Sequence, residues 1–440
     1  MKIPLVALVG LPNAGKSTLF NKILEIRKAL THPVAGTTRD RHYGLTTWNG
    51  LGFYLIDTAG ISNKTNSPLE KNIQKQTAIA QDEADLILLI VDGKTNISNE
   101  DLVVANKLQK TKKPVLLAVN KIDSRSTKTE TAASQFRTLG LGAPILISAT
   151  SGAGVGDLLD AIVDELKKIY TEPAPEESDR LKLAFIGKPN VGKSSLINAL
   201  LKQDRLLVDS KAGTTRSTVD IPFEYGDKKY LLLDTAGVKK KWKQDVDIEA
   251  AAAMQSLRTI PQVDVALFVI DASTDMTFQD QAIAQEILEQ NKTIVLVINK
   301  VDLLSEEEKN SLLDRLPDYL PQLWWAPVVF TSSKVGHGLV KMLELAQSAF
   351  AAGNRQIDND LLDQFLDDVL RKHTPEKMQD ERDPKIYNLK QIATNPPVFK
   401  LTVNLPSAIA PGWKKFFEKQ FRLKFGFEGT PVVFKYIRKN

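Results

Sequence analysis

The chain has 440 residues, of which 42% are hydrophobic and 25% are charged, and it contains no cysteine. Its length and globular composition suit about three domains, and the missing thiols exclude disulfides, thiolate metal sites and cysteine nucleophiles. No apolar run approaches the ~18 residues that a membrane helix needs, and the N-terminus lacks the pattern of a signal peptide. We therefore expect a soluble, cytoplasmic protein without membrane association.

The formal net charge of +5 is unevenly distributed. The segment from Lys385 onward contains eleven Lys or Arg residues and two Glu, a net charge of +9. The rest of the chain contains 47 basic and 51 acidic residues, a net charge of −4. This asymmetry predicts a polyanionic partner for the C-terminal segment.

Short apolar runs alternate with helical stretches along most of the chain. Runs that are apolar on both faces and separated by helices predict parallel sheets covered on both sides. The strand-like runs are Leu5–Val9, Gly52–Ile56, Leu86–Val91, Val115–Val119 and Ile145–Ile147, then Leu183–Ile186, Tyr230–Leu233, Val265–Ile270, Ile294–Ile298 and Val328–Phe330.

Five sequence motifs occur twice, in the same order. Gly10–Ser17, Gly36–Arg39 and Asp57–Gly60 recur 177 residues later, Asn120–Asp123 recurs 179 residues later, and Ser148 recurs 184 residues later. A constant offset followed by a small drift indicates a duplicated domain with loop insertions. The predicted fold class is therefore α/β, with two tandem, doubly wound and mostly parallel domains.

The pattern changes after residue 352. A helix face over Leu361–Leu370 precedes two strand-like runs, and a helix opened by Pro411 precedes a last alternating run. The order α-β-β-α-β predicts a small α+β domain. The predicted divisions are a first α/β domain over 1–170, an acidic linker over 171–179, a second α/β domain over 180–352 and the small domain over 353–440.

Gly10-x4-Gly15-Lys16-Ser17 is typical of a phosphate-binding loop (P-loop). Its glycines let backbone N–H groups face the phosphates, the lysine reaches the β- and γ-phosphates, and the serine hydroxyl binds Mg²⁺. A Gly-Lys-Ser turn before a helix can be purely structural, but the duplication between strand and helix argues against that interpretation. The predicted phosphate-contacting residues are Gly10, Asn13, Ala14, Gly15, Lys16, Ser17 and Thr18, and in the second copy Gly187, Asn190, Val191, Gly192, Lys193, Ser194 and Ser195.

Asp-Thr-Ala-Gly follows a strand in each copy, at Asp57 and Asp234. The carboxylate of each aspartate is placed to support the Mg²⁺ site. The glycines that end these motifs, Gly60 and Gly237, are expected to donate a backbone N–H to the γ-phosphate.

Asn-Lys-x-Asp identifies the base as guanine. One carboxylate, from Asp123 or Asp302, can accept two hydrogen bonds from the paired N–H donors of guanine, which adenine lacks. The asparagines brace the loop and contact the base, and the lysine stems cover its face. The remaining predicted guanine-loop residues are Asn120, Lys121, Ser148 and Ala149 in the first copy and Asn299, Lys300, Ser332 and Ser333 in the second.

Together these motifs resemble those of translation-factor-class GTPases. Two copies followed by a small C-terminal domain resemble, over essentially the whole chain, the Der (EngA) family of bacterial ribosome-assembly GTPases. The resemblance implies two GTP/GDP sites, a KH-like C-terminal domain, association with the large ribosomal subunit and its rRNA, and GTP hydrolysis as the timing step. We expect a monomer.

Some residue roles follow from the resemblance alone. The switch-one threonine that contacts Mg²⁺ falls on Thr38 and Thr215, with the preceding Thr37 and Thr214 as the alternative register. The asparagine that holds K⁺ in potassium-stimulated relatives falls on Asn13 and Asn190. The alternative for these asparagines is a hydrogen bond that braces the loop. The catalytic set is Lys16, Thr38, Gly60, Lys193, Thr215 and Gly237.

The residue after Asp-Thr-Ala-Gly is Ile61 in the first copy and Val238 in the second. Ras-like enzymes place a water-orienting glutamine there, and neither aliphatic side chain can bind water. We expect slow intrinsic hydrolysis in both domains, stimulated by K⁺ and by the partner.

The C-terminal segment carries the candidates for RNA contact. Gly426-x-x-Gly429 matches the letters of an RNA-clamping loop, but we interpret it as a helix C-terminal turn, because it lies between a helix and a strand. We expect Trp413, Phe416, Phe417 and Phe421 to be core residues. The predicted phosphate contacts are Lys414, Lys415, Lys419, Arg422, Lys424, Lys435, Arg438 and Lys439.

Two functional alternatives accompany the switch hypothesis. In one, the protein is a nucleotide-gated RNA- or ribosome-binding module with one regulatory G domain. In the other, it is a tRNA-modification GTPase, which is disfavoured because that family has a single G domain and a C-terminal cysteine.

Overall fold

The computed structural model describes residues 3–26, 42–58, 84–123, 134–169, 179–203, 206–208, 220–233, 259–375 and 383–439. The chain divides into two compact units, Met1–Ser178 and Asp179–Asn440. The first unit holds one copy of the repeat, and the second holds the other copy together with the small C-terminal domain.

The first unit is a sheet with helices against it. Its described strands lie in the order β2-β3-β1-β4-β5-β6, and β1, β3, β4, β5 and β6 run parallel. The predicted central strands are confirmed. The bounds are β1 Leu5–Val9, α1 Lys16–Ile26, β2 His42–Trp48, β3 Leu51–Asp57, β4 Leu86–Asp92, α2 Asn99–Gln109, β5 Val115–Asn120, a 3₁₀ turn Gln135–Leu139, β6 Ile145–Leu146 and α3 Val155–Ile169.

The second unit repeats this sheet and extends it by one short strand. Its order is β13-β12-β11-β7-β10-β9-β8. The bounds are β7 Leu181–Ile186, α4 Lys193–Leu201, β8 Leu206–Val208, β9 Ile221–Tyr225, β10 Lys228–Leu232, a 3₁₀ turn Ile260–Gln262, β11 Val265–Asp271, α5 Phe278–Glu289, β12 Thr293–Asn299, a 3₁₀ turn Val301–Leu303, α6 Glu306–Tyr319, a 3₁₀ turn Pro321–Leu323, β13 Val328–Phe330 and α7 Leu339–Gly353.

Strands β2 and β8 lie at a sheet edge and β9 lies next to β8; all three are antiparallel to their neighbours, and apolar runs did not predict them. Because only the central strands are covered on both faces, only they consist of continuous apolar residues. The signal for the missed hairpin between β2 and β3 was its turn. Asn49 and Gly50 both adopt positive φ, 47° and 81°, as the tight Asn-Gly hairpin turn requires.

The C-terminal domain has the predicted order α-β-β-α-β. Two helices pack on one face of a three-stranded sheet of order β14-β15-β16. The core is aromatic: Trp413, Phe417 and Phe421 are buried and Phe416 packs against them, as predicted. The bounds are α8 Asn359–Lys372, β14 Ile386–Ala393, β15 Val398–Val403, a 3₁₀ turn Pro406–Ala408, α9 Pro411–Phe425 and β16 Val433–Arg438.

The Gly426–Gly429 turn closes α9, as predicted, and also joins the two parts of the second unit. The Gly426 N–H donates to Arg422 O at 2.8 Å. The Gly429 carbonyl accepts from Ile294 N in β12 at 2.7 Å, and the Gly429 N–H donates to Trp325 O at 3.0 Å. The turn is therefore seated on the edge of the second α/β domain where β12 begins.

The prediction that Arg422 contacts RNA is wrong. Its side chain is only 4% exposed. The guanidinium donates to Phe427 O and Thr430 O at 2.9 and 3.0 Å and stacks 4.4 Å above the Trp325 ring. An arginine on a basic helix is equally able to stack inside an interface, and only the fold distinguishes the two roles.

No described helix is both long enough and apolar enough to cross a bilayer.

Candidate nucleotide sites

The first P-loop connects β1 to α1, at the carboxyl end of the parallel strands, where α/β sheets bind ligands. Lys16 is the first residue of α1, and Ser17 and Thr18 follow it at the positive end of the helix. The Lys16 ammonium donates to Gly10 O at 2.8 Å and to Leu11 O at 2.7 Å. These carbonyl contacts hold the lysine folded back along the loop.

Burial changes the acidity of Lys16. The side chain is almost fully enclosed. Burial lowers its pKa to about 8, and the negative charge of Asp57 opposes part of that shift. The Ser17 hydroxyl donates to Asp57 Oδ2 at 2.5 Å, so the serine and aspartate predicted to act together do lie together.

The second P-loop repeats this geometry between β7 and α4. The Lys193 ammonium donates to Gly187 O at 2.7 Å and to Lys188 O at 2.8 Å. Asn13 and Asn190 take left-handed backbone conformations, with φ of 65° and 64°. Ser194 and Ser195 lie in the first turn of α4.

The guanine loop contacts the P-loop directly in each copy. The Asn120 side-chain amide donates to Ala14 O at 2.8 Å, and the Asn299 amide donates to Val191 O at 2.9 Å. At Gly15 a Cβ would lie 2.1 Å from Asn120 Nδ2, and at Gly192 2.3 Å from Asn299 Nδ2. The last glycine of each P-loop is therefore required for this approach as well as for its positive φ.

The asparagines also brace their own loops, as predicted. Asn120 Oδ1 accepts from Lys121 N at 2.8 Å and from Ala149 N at 2.9 Å. Asn299 Oδ1 accepts from the Thr331 hydroxyl at 3.3 Å. The Ala149 amide therefore has Asn120 Oδ1 as its acceptor.

The serine of each Ser-Ala or Ser-Ser signature orients the base-reading carboxylate. Ser148 Oγ donates to Asp123 Oδ1 at 2.7 Å, and Ser332 Oγ donates to Asp302 Oδ1 at 2.5 Å. These hydroxyl hydrogen bonds lower the pKa of Asp123 and of Asp302. The lowered pKa keeps each aspartate ionised, as an acceptor for guanine must be. The second oxygen of Asp123, Oδ2, lies 3.5 Å from Lys94 Nζ.

Sequence analysis missed an acidic partner of the guanine-loop lysine. Lys121 Nζ lies 2.6 Å from Asp92 Oδ2, and Lys300 Nζ lies 2.6 Å from Asp271 Oδ2. Burial alone would raise the pKa of each aspartate, but the lysine hydrogen bond and neighbouring donors outweigh it and lower that pKa. The signal was available, because both aspartates end a buried strand at the same 179-residue offset as Asn-Lys-x-Asp.

Several predicted site residues lie outside the described residues. They are Thr38, Gly60, Thr215, Asp234 and Gly237, together with Ile61 and Val238.

The described residues of each copy form two neighbouring sets of groups that can bind a ligand. Each copy presents a P-loop lysine and a helix N-terminus at one end of the sheet, with an ionised carboxylate at the neighbouring loop. Phosphates suit the first set, and the paired donors of guanine suit the second.

Comparison with known proteins agrees with this geometry. A family described as "50S ribosome-binding GTPase" matches residues 5–121 and 182–300, and one described as "KH-domain-like of EngA bacterial GTPase enzymes, C-terminal" matches 356–436. The GTPase Der of Heliobacterium modesticaldum is 41% identical over 442 residues, which cover 100% of this chain and 99% of the relative. That of Chloroherpeton thalassium is 38% identical over 441 residues, covering 99% and 100%.

Among solved structures, Era in complex with MgGDPNP and nucleotides 1506–1542 of 16S ribosomal RNA matches with 25% identity. The match covers 60% of this chain and 94% of Era, with a TM-score of 0.30, which is too low to indicate a common overall arrangement. The full-length relatives and the two family matches are the decisive comparisons: this chain belongs to the Der (EngA) family of GTPases.

Proposed function

We propose that this GTPase is a cytoplasmic, monomeric switch that binds the precursor of the large ribosomal subunit, assists its assembly and leaves after hydrolysis. The observation that carries the proposal is the joining of two P-loop and guanine-loop sets to one basic KH-like domain in a single chain. The family description, "50S ribosome-binding GTPase", supports the large subunit as the partner.

Each copy is proposed to bind GTP or GDP with Mg²⁺. In the first copy the Ser17 hydroxyl and the Asp57 carboxylate lie 2.5 Å apart beside the P-loop, and such oxygen donors fit a hard cation. Thr38 is the proposed third residue. In the second copy the same roles fall on Ser194, Asp234 and Thr215. When bound, Mg²⁺ supplies positive charge that offsets the charge of the phosphates.

Hydrolysis in this family of sites depends on positioning and electrostatics. Lys16 and Lys193 are proposed to leave their carbonyl partners and reach the phosphates, and the amides of Gly60 and Gly237 to bind the γ-phosphate. Asn13 and Asn190 are proposed to hold K⁺, whose charge would stabilise the transition state where no glutamine orients water.

The KH-like domain supplies the proposed rRNA contacts. Lys390, Lys400 and Lys435 pair in register across the three strands of its sheet. Like charges in register repel each other, and a phosphate backbone would relieve that repulsion. The exposed Lys415, Lys419, Lys424, Arg438 and Lys439 extend the basic surface. Such contacts are sensitive to salt and select little for sequence.

Co-sedimentation with large subunits and their precursors tests the switch. We expect binding with a non-hydrolysable GTP analogue and release with GDP. Lys16→Ala and Lys193→Ala, made singly, should identify which site controls docking. Binding that ignores the nucleotide would refute the switch. Nucleotide-dependent binding that persists unchanged when one site cannot turn over would favour the nucleotide-gated module with one regulatory domain.

Multiple-turnover hydrolysis in KCl and in NaCl tests the monovalent cation. We expect faster turnover in KCl, and we expect Asn13→Ala and Asn190→Ala to remove that difference at their own sites. Equal rates in the two salts would refute the potassium assignment.

A further inference from the structure

The two P-loops differ at their second residue, which is Leu11 in the first copy and Lys188 in the second. The Lys188 ammonium lies 2.9 Å from Asp280 Oδ2 in α5, and the pair is enclosed, with side chains 14% and 0% exposed. The same carboxylate oxygen accepts from the Thr277 amide and hydroxyl at 2.8 and 2.9 Å, which caps α5.

Lys188 is therefore held at two points. Its side chain is fixed to the start of α5, and its carbonyl accepts the Lys193 ammonium at 2.8 Å. The chain of contacts runs from the helix cap through the P-loop backbone to the lysine that reaches the phosphates.

The first copy has the same frame without this connection. Leu8 of β1 pairs with Leu88 of β4, and Phe185 of β7 pairs with Leu267 of β11 in the equivalent register. In each copy, therefore, the P-loop and the helix that follows the neighbouring strand, α2 or α5, leave the sheet at equivalent positions. Asp101 caps α2 through Ser98 as Asp280 caps α5. Within the described residues, Asp101 accepts hydrogen bonds only from Ser98, and Leu11 cannot supply a cation.

We propose that Lys188 is a positioning residue that fixes the second P-loop against α5 and slows nucleotide release from the second site relative to the first. A loop ordered before binding loses less conformational freedom when the nucleotide binds. Affinity changes of this kind act mainly on dissociation. The inference rests on the proposed binding of guanine nucleotide at the second site and is independent of the proposed ribosomal role.

The loss-of-connection test uses the full chain with the first site silenced by Lys16→Ala. Methionine at position 188 alone would leave a buried carboxylate unpaired, and Asp280 Oδ1 already lacks a partner among the described residues. The informative variant is therefore K188M/D280N, in which the asparagine oxygen can still accept from Thr277. We expect fluorescent mant-GDP to dissociate about three- to tenfold faster with an unchanged melting temperature, whereas K188R keeps the parent rate. A parent rate in K188M/D280N overturns the proposal.

The transplant test works in the opposite direction, in a Lys193→Ala chain. Leu11→Lys places an ammonium opposite Asp101, and we expect mant-GDP to leave the first site about three- to tenfold more slowly. L11K/D101N should lose that gain, because it removes the carboxylate charge but keeps the cap. Equal rates in L11K and L11K/D101N overturn the proposal, and so does an unchanged rate in L11K. Neither test contains ribosomes, so both results can be interpreted even if the proposed ribosomal role is wrong.

Discussion

Lys16 determines how the first site responds to alkaline pH. With a pKa of about 8, about half of the Lys16 side chains are neutral at that pH. Nearby phosphate favours the charged form and raises the pKa, so GTP binding must take up a proton above pH 8. We expect affinity at the first site, measured in a Lys193→Ala chain, to fall by up to about tenfold for each pH unit above 8.

Two measurements check this proton uptake between pH 7 and 8.8, below the titration of guanine itself. Calorimetry in buffers of different ionisation enthalpy should report protons entering the protein on binding. Lys16→Arg is the control, because a guanidinium stays charged; its affinity, although weaker, should not change with pH. A wild-type affinity that is constant over this range would contradict the prediction.

The hydroxyl of Ser148 governs the acid side of the same site. In Ser148→Ala, Asp123 loses the hydrogen bond that lowers its pKa. That pKa should then rise, so the loss of GDP binding on acidification should begin at a higher pH. At neutral pH we expect several-fold weaker binding, because the carboxylate is less well oriented. Ser151→Ala changes a neighbouring serine that does not contact Asp123 among the described residues. The prediction is wrong if both variants share one acid profile.

At the scale of elements, the Gly426–Gly429 turn connects the KH-like domain to the second G domain. Gly429 has a φ of 74°, and an added Cβ would lie 2.5 Å from Ala349 Cβ and 3.1 Å from Ile294 O. Gly429→Ala should therefore lower the free energy of unfolding by about 1–3 kcal/mol, measured by urea denaturation.

Gly412→Ala is the matched control. It lies in the exposed first turn of α9, and an added Cβ meets no atom within 4 Å. This variant should be neutral or slightly stabilising, because alanine favours helix. An equal loss of unfolding free energy in Gly429→Ala and Gly412→Ala would show that the turn does not stabilise the contact between the KH-like domain and the second G domain.

Sequence predicted the elements whose environment is uniform. The central strands and the aromatic helix α9 are buried along their length or along one face, so their patterns are continuous. The site lysines and aspartates were predicted because few residue types can bind phosphate or guanine, and these residues occur at a fixed spacing in the motifs. Arg422 and the Gly429 contact could not be predicted, since both depend on which surface of another domain lies opposite.

Asp92 and Asp271 were only partly predictable from the sequence. Their positions repeat with the motif beside them, but nothing in a strand-ending aspartate states that a lysine 29 residues later will reach it. That pairing exists because β4 lies next to β5, and β11 next to β12, in parallel register. Contacts between neighbouring strands become predictable only when the strand order is known.

For the whole molecule, the division into two units predicts two unfolding events. Ligand that binds the native state stabilises the unit that contains its site. Because β12 carries Asn299 at one end and at the other donates the Ile294 N–H to the Gly429 carbonyl, GDP at the second site should stabilise the KH-like domain as well. GDP at the first site should not.

Hydrogen exchange distinguishes the effect of GDP at the second site from the effect of GDP at the first site. With Lys16→Ala, GDP should slow exchange at the β15 amides, whereas with Lys193→Ala it should slow exchange in the first unit and leave β15 unchanged. Calorimetry should agree, with the higher-enthalpy transition, from the larger unit, moving only when the second site is intact. If β15 exchange ignores GDP in both variants, the KH-like domain opens independently, and its contact with β12 is too weak to transmit occupancy of the second site.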